Sequence, residues 1–183
     1  MARAGAQPTL TTARLVLRPL ASGDGADIQR LAGRFEVAGT TANIPHPYPD
    51  GAAEAWISKP RNENELSFAI VLRESGELAG GISMIVNRDH QRAEIGYYVG
   101  VAHWGHGYAT EAGRALVRHG FEELALNRVH AEHFTRNPAS GRVLQKIGMR
   151  HEGTQRKHLV KWGEPIDVEL YGIVRDEWDA GRR

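Results

Sequence analysis

The chain has 183 residues, a formal net charge of +1 at neutral pH and no cysteine. That length fits one domain with a sizeable core. The near-zero charge carries no nucleic-acid footprint, no apolar run approaches the length of a bilayer span, and disulfides and a cysteine acyl-enzyme are both excluded.

Met1 to Thr9 lacks the apolar centre of a signal peptide and reads as a loose tail, so the cytoplasm is the expected compartment. Arg14 to Arg18 alternates like a first strand and stops at Pro19. Gly23 to Phe35 reads as a helix. Thr40 to Gly51 carries Pro45, Pro47 and Pro49 and must be irregular. Ala52 to Ile57 reads as a short helix. Ser67 to Arg73 and Leu78 to Val86 flank Ser75-Gly76-Glu77, a hairpin signal. A second hairpin, through Asn87 to Gln91, leads into a strand from Arg92 to Val101.

Beyond Gly107 the spacing of Ala109, Ala112, Leu116, Val117, Gly120 and Leu124 predicts one apolar helix side. Arg128 to Phe134 is a strand. Asn137 suits an N-cap, Pro138 suits N1 and Gly148 stops the helix that Val143, Leu144 and Ile147 stripe. Met149 to Val160 and Ile166 to Val174 form a closing hairpin around Trp162-Gly163. The order is β-α-α-β-β-β-α-β-α-β-β, an α/β arrangement with a mixed sheet.

The most telling stretch runs from Val99 to Ala112. A strand, glycines at 105 and 107 and a helix N-terminus together make an anion seat. First-turn N–H groups lack intrahelical partners, the helix dipole favours negative charge, and glycine lets the backbone approach a phosphate. The ATP-type phosphate loop and the dinucleotide fingerprint are both absent.

The remaining pattern resembles the GNAT superfamily of acyl-CoA-dependent N-acetyltransferases. Its Q/R-x-x-G-x-G/A motif falls on Trp104-Gly105-His106-Gly107-Tyr108-Ala109, with Trp104 departing from Gln or Arg. The string through Thr110-Glu111-Ala112 is similar to the ribosomal-protein N-terminal acetyltransferase branch, the RimJ/RimL-like proteins. Ala93-Glu94-Ile95-Gly96-Tyr97, Asn137-Pro138-Ala139-Ser140 and Lys146-Ile147-Gly148-Met149 stand at the family's spacing. The resemblance spans Leu10 to Val174. It implies one GNAT acetyltransferase domain over 10–174, with tails at 1–9 and 175–183.

The resemblance also implies site roles. The pantetheine arm of acetyl coenzyme A lies along Tyr98, Val99, Gly100 and Val101, and the amide of Val99 or Tyr98 is the oxyanion donor. The pyrophosphate sits on the N–H groups of His106, Gly107, Tyr108, Ala109 and Thr110, where Thr110 can add its hydroxyl and His106 either adds a donor or faces solvent. Asn137 touches the coenzyme as well as capping its helix. Ser140 is the acid toward the leaving thiolate; its plain alternative is a small polar residue at N3. The tyrosine that many members place seven residues after the asparagine is Leu144 here.

Glu94 is the candidate base. Alternation puts Glu94, Gly96 and Tyr98 on one face of the strand. Its alternative is a strand-face carboxylate paired with Arg92. A carboxylate near its reference pKa of about 4.3 needs burial or a water relay to deprotonate an ammonium. His130 and His133 point to opposite strand faces, so no metal site is expected. Trp104 and Trp178 read as packing residues, and Trp56 and Trp162 as acceptor-pocket walls. The acceptor is a primary amine, a protein N-terminus or a small molecule; no nucleic acid or membrane partner is expected, and a homodimer is a family-level expectation. The competing reading is a non-catalytic acyl-CoA-binding module of the same fold, or a transferase of another acyl group.

Overall fold

Alternating apolar residues set the sheet, and their two faces recruit two layers of helix. A computed structural model describes residues 7–181. Among these, the strands are β1 (Leu10–Thr11), β2 (Leu15–Pro19), β3 (Glu65–Leu72), β4 (Leu78–Asn87), β5 (Arg92–Val99), β6 (Arg128–Phe134), β7 (Arg150–Lys161) and β8 (Glu164–Val174). They form one sheet in the order β1-β2-β3-β4-β5-β6-β8-β7. Every pairing is antiparallel except β5 with β6. The helices are α1 (Gly25–Ala32), α2 (Phe35–Ala38), α3 (Ala52–Ser58), α4 (Tyr108–Glu122), α5 (Pro138–Ile147) and α6 (Arg175–Ala180).

On one sheet face, Met84, Ile95 and Val129 pack with Leu116 and Phe121 of α4 and Leu144 of α5. Leu116 and Leu144 are fully buried, so truncating either to Ala costs about 2–5 kcal/mol. On the other face, Ile28, Leu31 and Ala53 cover Ala69, Val71 and Leu78. Arg18 forks onto Asp24 at 2.7 and 2.8 Å, and Asp24 also accepts from the Ala21 amide. This ties the start of α1 to β2 and holds the Asp24 carboxyl below its ordinary range, the Arg18 hydrogen bonds outweighing burial.

The expected order holds, with four differences. β1 is a two-residue strand, too short to show a period. The expected helix from Gly23 to Phe35 is broken, because Arg34 is extended at φ −61°, ψ 136°, and α2 starts after it. The strand expected to reach Val101 stops at Val99, and Val101–His103 make a 3₁₀ turn. Part of the expected C-terminal tail is α6, whose Trp178 packs at 5.1 Å on Phe121.

Candidate active site

The parallel contact between β5 and β6 is brief. It runs from Arg92 opposite Arg128 to Glu94 opposite His130 and then ends. β4 follows β5 up to Val99, and β8 follows β6 up to Phe134. From Ile95 to Val99, one edge of β5 therefore faces an opening rather than a strand.

Hydrogen bonding assigns the amides of this edge. Gly100 N–H donates to Ala79 O of β4 at 2.9 Å. Strand groups alternate with period two, so the Tyr98 amide also faces β4 and the Val99 amide faces the opening. Of the two amides named from the sequence, only that of Val99 faces the opening. Its own carbonyl accepts from Trp104 Nε1 at 2.7 Å. Trp104 is 48 % exposed; rather than a packing residue, it is a brace that pins the end of β5 to the turn.

That turn is shaped by Gly105 and Gly107, at φ +79° and +80°. Gly107 is the N-cap of α4 and brings no capping side chain. The first-turn amides of Tyr108, Ala109 and Thr110 thus lack intrahelical acceptors. His106 is exposed and stacks on Tyr108 with centroids 5.4 Å apart. Thr110 is buried. Arg14 secures the turn from outside, donating to His106 O at 2.9 Å, lying over the Tyr108 ring and pairing with Glu111 at 2.7 Å. Burial alone raises the Glu111 carboxyl; the donors from Thr12 and Arg14 outweigh it and hold the group below its ordinary range. A groove of about 790 Å³ runs along β1 and the outer side of α4, but none of its lining residues comes from β5 or β6.

Asn137 caps α5, with Oδ1 accepting from the Ser140 amide at 3.4 Å. Ser140 Oγ lies 2.7 Å from Tyr97 Oη. Tyr97 is on β5 at the opening, and burial pushes its hydroxyl up to about 12 against the lowering effect of the Ser140 hydrogen bond. Two joined hydroxyls therefore stand at one face of the opening. Sequence reasoning singled out Ser140 but did not bring Tyr97 to it, since the two are 43 positions apart.

Glu94 lies on the opposite face of β5, in a small hollow with Ile85, Asn87, Arg92, Ala93 and His130. Among the described residues it has no hydrogen-bond or ion-pair partner, so pairing with Arg92 is not seen. Burial lowers the His130 imidazole below its ordinary value; Glu94 opposes this, and Arg128 and Arg92 add to it. Glu94 stands at the closed end of the opening, roughly 16 Å along the strand from Val99. Glu132, unforeseen, faces the same side from β6, two residues nearer the open end, with His158 at 4.0 Å. Tyr98 turns away beneath α1, and burial pushes its hydroxyl up.

His130 and His133 do take opposite faces. No group of three or more His, Asp or Glu that could hold a metal occurs among the described residues, and none of their helices is long and apolar enough to cross a membrane. Of the acceptor-wall candidates, Trp162 stacks on Phe35 at 5.2 Å, while Trp56 lies apart beneath Arg61.

A helix N-terminus with no capping side chain, an open strand edge and two joined hydroxyls thus border one opening. Residues 14–150 match the acetyltransferase (GNAT) domain, and the chain belongs to this family and is an acetyltransferase. It is 32 % identical over 172 residues to YoaA of Bacillus subtilis (strain 168), named an uncharacterized N-acetyltransferase, covering 92 % of this chain and 97 % of that one. YnaD of the same organism, named likewise, is 30 % identical over 175 residues, covering 93 % and 99 %. The crystal structure of a GNAT-family acetyltransferase from Bacillus anthracis superposes with a TM-score of 0.84 at 25 % identity, covering 92 % and 99 %. Mycobacterium smegmatis RimJ, solved in complex with CoA-disulfide, gives 0.81 at 25 % identity, covering 96 % of each chain.

Proposed function

We propose that this acetyltransferase moves the acetyl group of acetyl coenzyme A directly onto a primary amine, with both substrates bound together in the cytoplasm. The carrying observation is the parted β5–β6 pair, whose open edge leads from the uncapped α4 turn to the Tyr97–Ser140 hydroxyls. The backbone of Tyr98 to Val101 would hold the pantetheine arm as a strand would. The amides of His106 to Thr110, helped by the Thr110 hydroxyl, would hold the pyrophosphate, and Asn137 a further coenzyme contact. The donor supplies an activated thioester carbonyl.

The Val99 amide stabilises negative charge on the thioester oxygen as the amine nitrogen attacks the carbonyl carbon. The carbon–sulfur bond breaks, and Ser140 gives its proton to the sulfur. Tyr97, protonated at neutral pH, passes its proton on to Ser140 and regains one from water. On the other face, the amine gives up its proton along a chain of water molecules that leads to Glu94. Glu132 shares that face and stands nearer, which makes it the control for this assignment.

The acceptor class we favour is a protein N-terminus. The support is the RimJ/RimL-like string from Trp104 to Ala112 together with the likeness to RimJ. The test is an acceptor screen with acetyl-CoA and mass detection, using peptides that begin with Ala, Ser or Thr beside small amines. An α-acetylated peptide product with thiol release is the expected result. Turnover of small amines alone removes the protein acceptor, and coenzyme binding with no release under any condition removes catalysis.

A further inference from the structure

We infer that His133 is a positioning residue for Ser140, setting the height of the α5 first turn over the opening. The inference rests on the reading of Ser140 as proton donor. The first turn of α5 spans the two walls of the parted sheet. Ser140 reaches β5 through the 2.7 Å contact with Tyr97. Its neighbour Gly141 rests on β6, directly against the His133 ring. A Cβ at Gly141 would lie 2.7 Å from His133 Nε2, 3.3 Å from its Cε1 and 3.3 Å from the Tyr171 hydroxyl. The closest of these is shorter than any carbon contact a folded chain accepts, so the helix sits on the ring edge at the smallest height a residue allows.

The ring itself is fixed. His133 is 7 % exposed. Its Nδ1–H donates to Phe134 O at 2.8 Å, and its face leans on Tyr171 at 5.5 Å. Nε2 lies beneath Gly141, and among the described residues it has no hydrogen-bond partner. Glycine is a poor helix former, and the close approach is the reason one stands here. A shift of the turn over β6 changes where the Ser140 hydroxyl points over β5. Small misplacements of this kind act on rate more than on binding.

The test measures kcat and KM for acetyl-CoA in Gly141→Ala, His133→Ala and the double variant, each with Ser140 present and in Ser140→Ala. Gly141→Ala is expected to lower kcat on the order of 10- to 100-fold while KM for acetyl-CoA barely moves. Adding His133→Ala makes room for the methyl group and should restore most of that loss. In Ser140→Ala neither change should lower kcat further, because residues acting through one group are not additive. Thermal unfolding with and without coenzyme A reports folding. Should Gly141→Ala fail to fold, His133→Ala carries the test: its kcat loss must depend on Ser140. Equal losses in both backgrounds, or no loss from either variant, overturn the inference. Wild-type kcat in Ser140→Ala overturns the proton-donor reading instead, and the inference with it.

Discussion

The proposed coenzyme side and the proposed acceptor side of the opening are held by different kinds of bond. On the proposed coenzyme side, short local segments set the shape, two left-handed glycines before α4 and an asparagine cap with a proline before α5, and Arg14 braces the first of them from a distance. On the acceptor side, residues far apart in sequence fasten one another. Lys161 Nζ donates to Ile44 O at 2.6 Å and Arg136 to Gly39 O at 3.0 Å. Phe35 stacks on Trp162 and His46 meets the Phe35 ring edge at 5.3 Å. These contacts strap α2 and the segment after it to the β7–β8 hairpin and to the turn before α5.

The sharpest way to break this division is Gly107→Glu. Coenzyme A is expected to raise the thermal midpoint of the wild type by mass action, and this substitution should abolish the shift. It puts a Cβ at φ +80° and a negative charge where bare amides face the ligand. A folded variant with an undiminished shift would falsify the phosphate seat.

Next come the two proton transfers. Ser140→Ala should lower kcat on the order of 10²-fold, with no rescue as pH rises. Glu94→Gln should lose rate at neutral pH and recover in alkali, where free amine is abundant. Glu132→Gln is the paired measurement. If it alone shows the alkaline recovery, the base belongs to β6 and not to β5.

Trp162→Ala tests the strap. It should raise KM for the acceptor about tenfold, near the upper worth of one aromatic pair, and leave the coenzyme-induced thermal shift intact. A lost coenzyme shift would erase the distinction between the two sides.

The smallest effect belongs to Asp24→Asn, beneath the acceptor half. Asp24 has a depressed pKa, so its pair with Arg18 stabilises the fold above the unfolded value and fades as pH falls through the folded one. The variant should lose about 1 kcal/mol at neutral pH, the arginine being one-third exposed. The gap to wild type should close in acid below the ordinary carboxylate range. A gap independent of pH down to acid unfolding would assign the loss to packing.

The same division explains what the sequence made legible. The strands, both long helices on the coenzyme side, the glycine turn and the Asn137 cap are short-range patterns, read from spacing and turn chemistry. Which of the Tyr98 and Val99 amides faces the opening is not legible in the sequence, because it depends on which edge of β5 meets β4. Arg14 was invisible as a brace because its partner Glu111 is 97 positions away. Tyr97, Glu132 and the Lys161–Ile44 strap depend likewise on contacts between distant elements. Trp162 reads as an acceptor wall from the sequence, but its stacking on Phe35 depends on the placement of α2, 127 positions away. Glycine at 33 and the extended Arg34 split a helix that apolar spacing alone had joined.

The short β5–β6 seam has a mechanical consequence. Five strands on one side and three on the other are joined by three paired residues, so the sheet is two plates on a narrow hinge. A pantetheine arm lying along β5 would then act as a keel between the plates. In deuterium exchange, amides on the open edge of β5, Val99 above all, should be labelled readily in the free protein and become shielded once coenzyme A is added, although no new contact forms between protein groups.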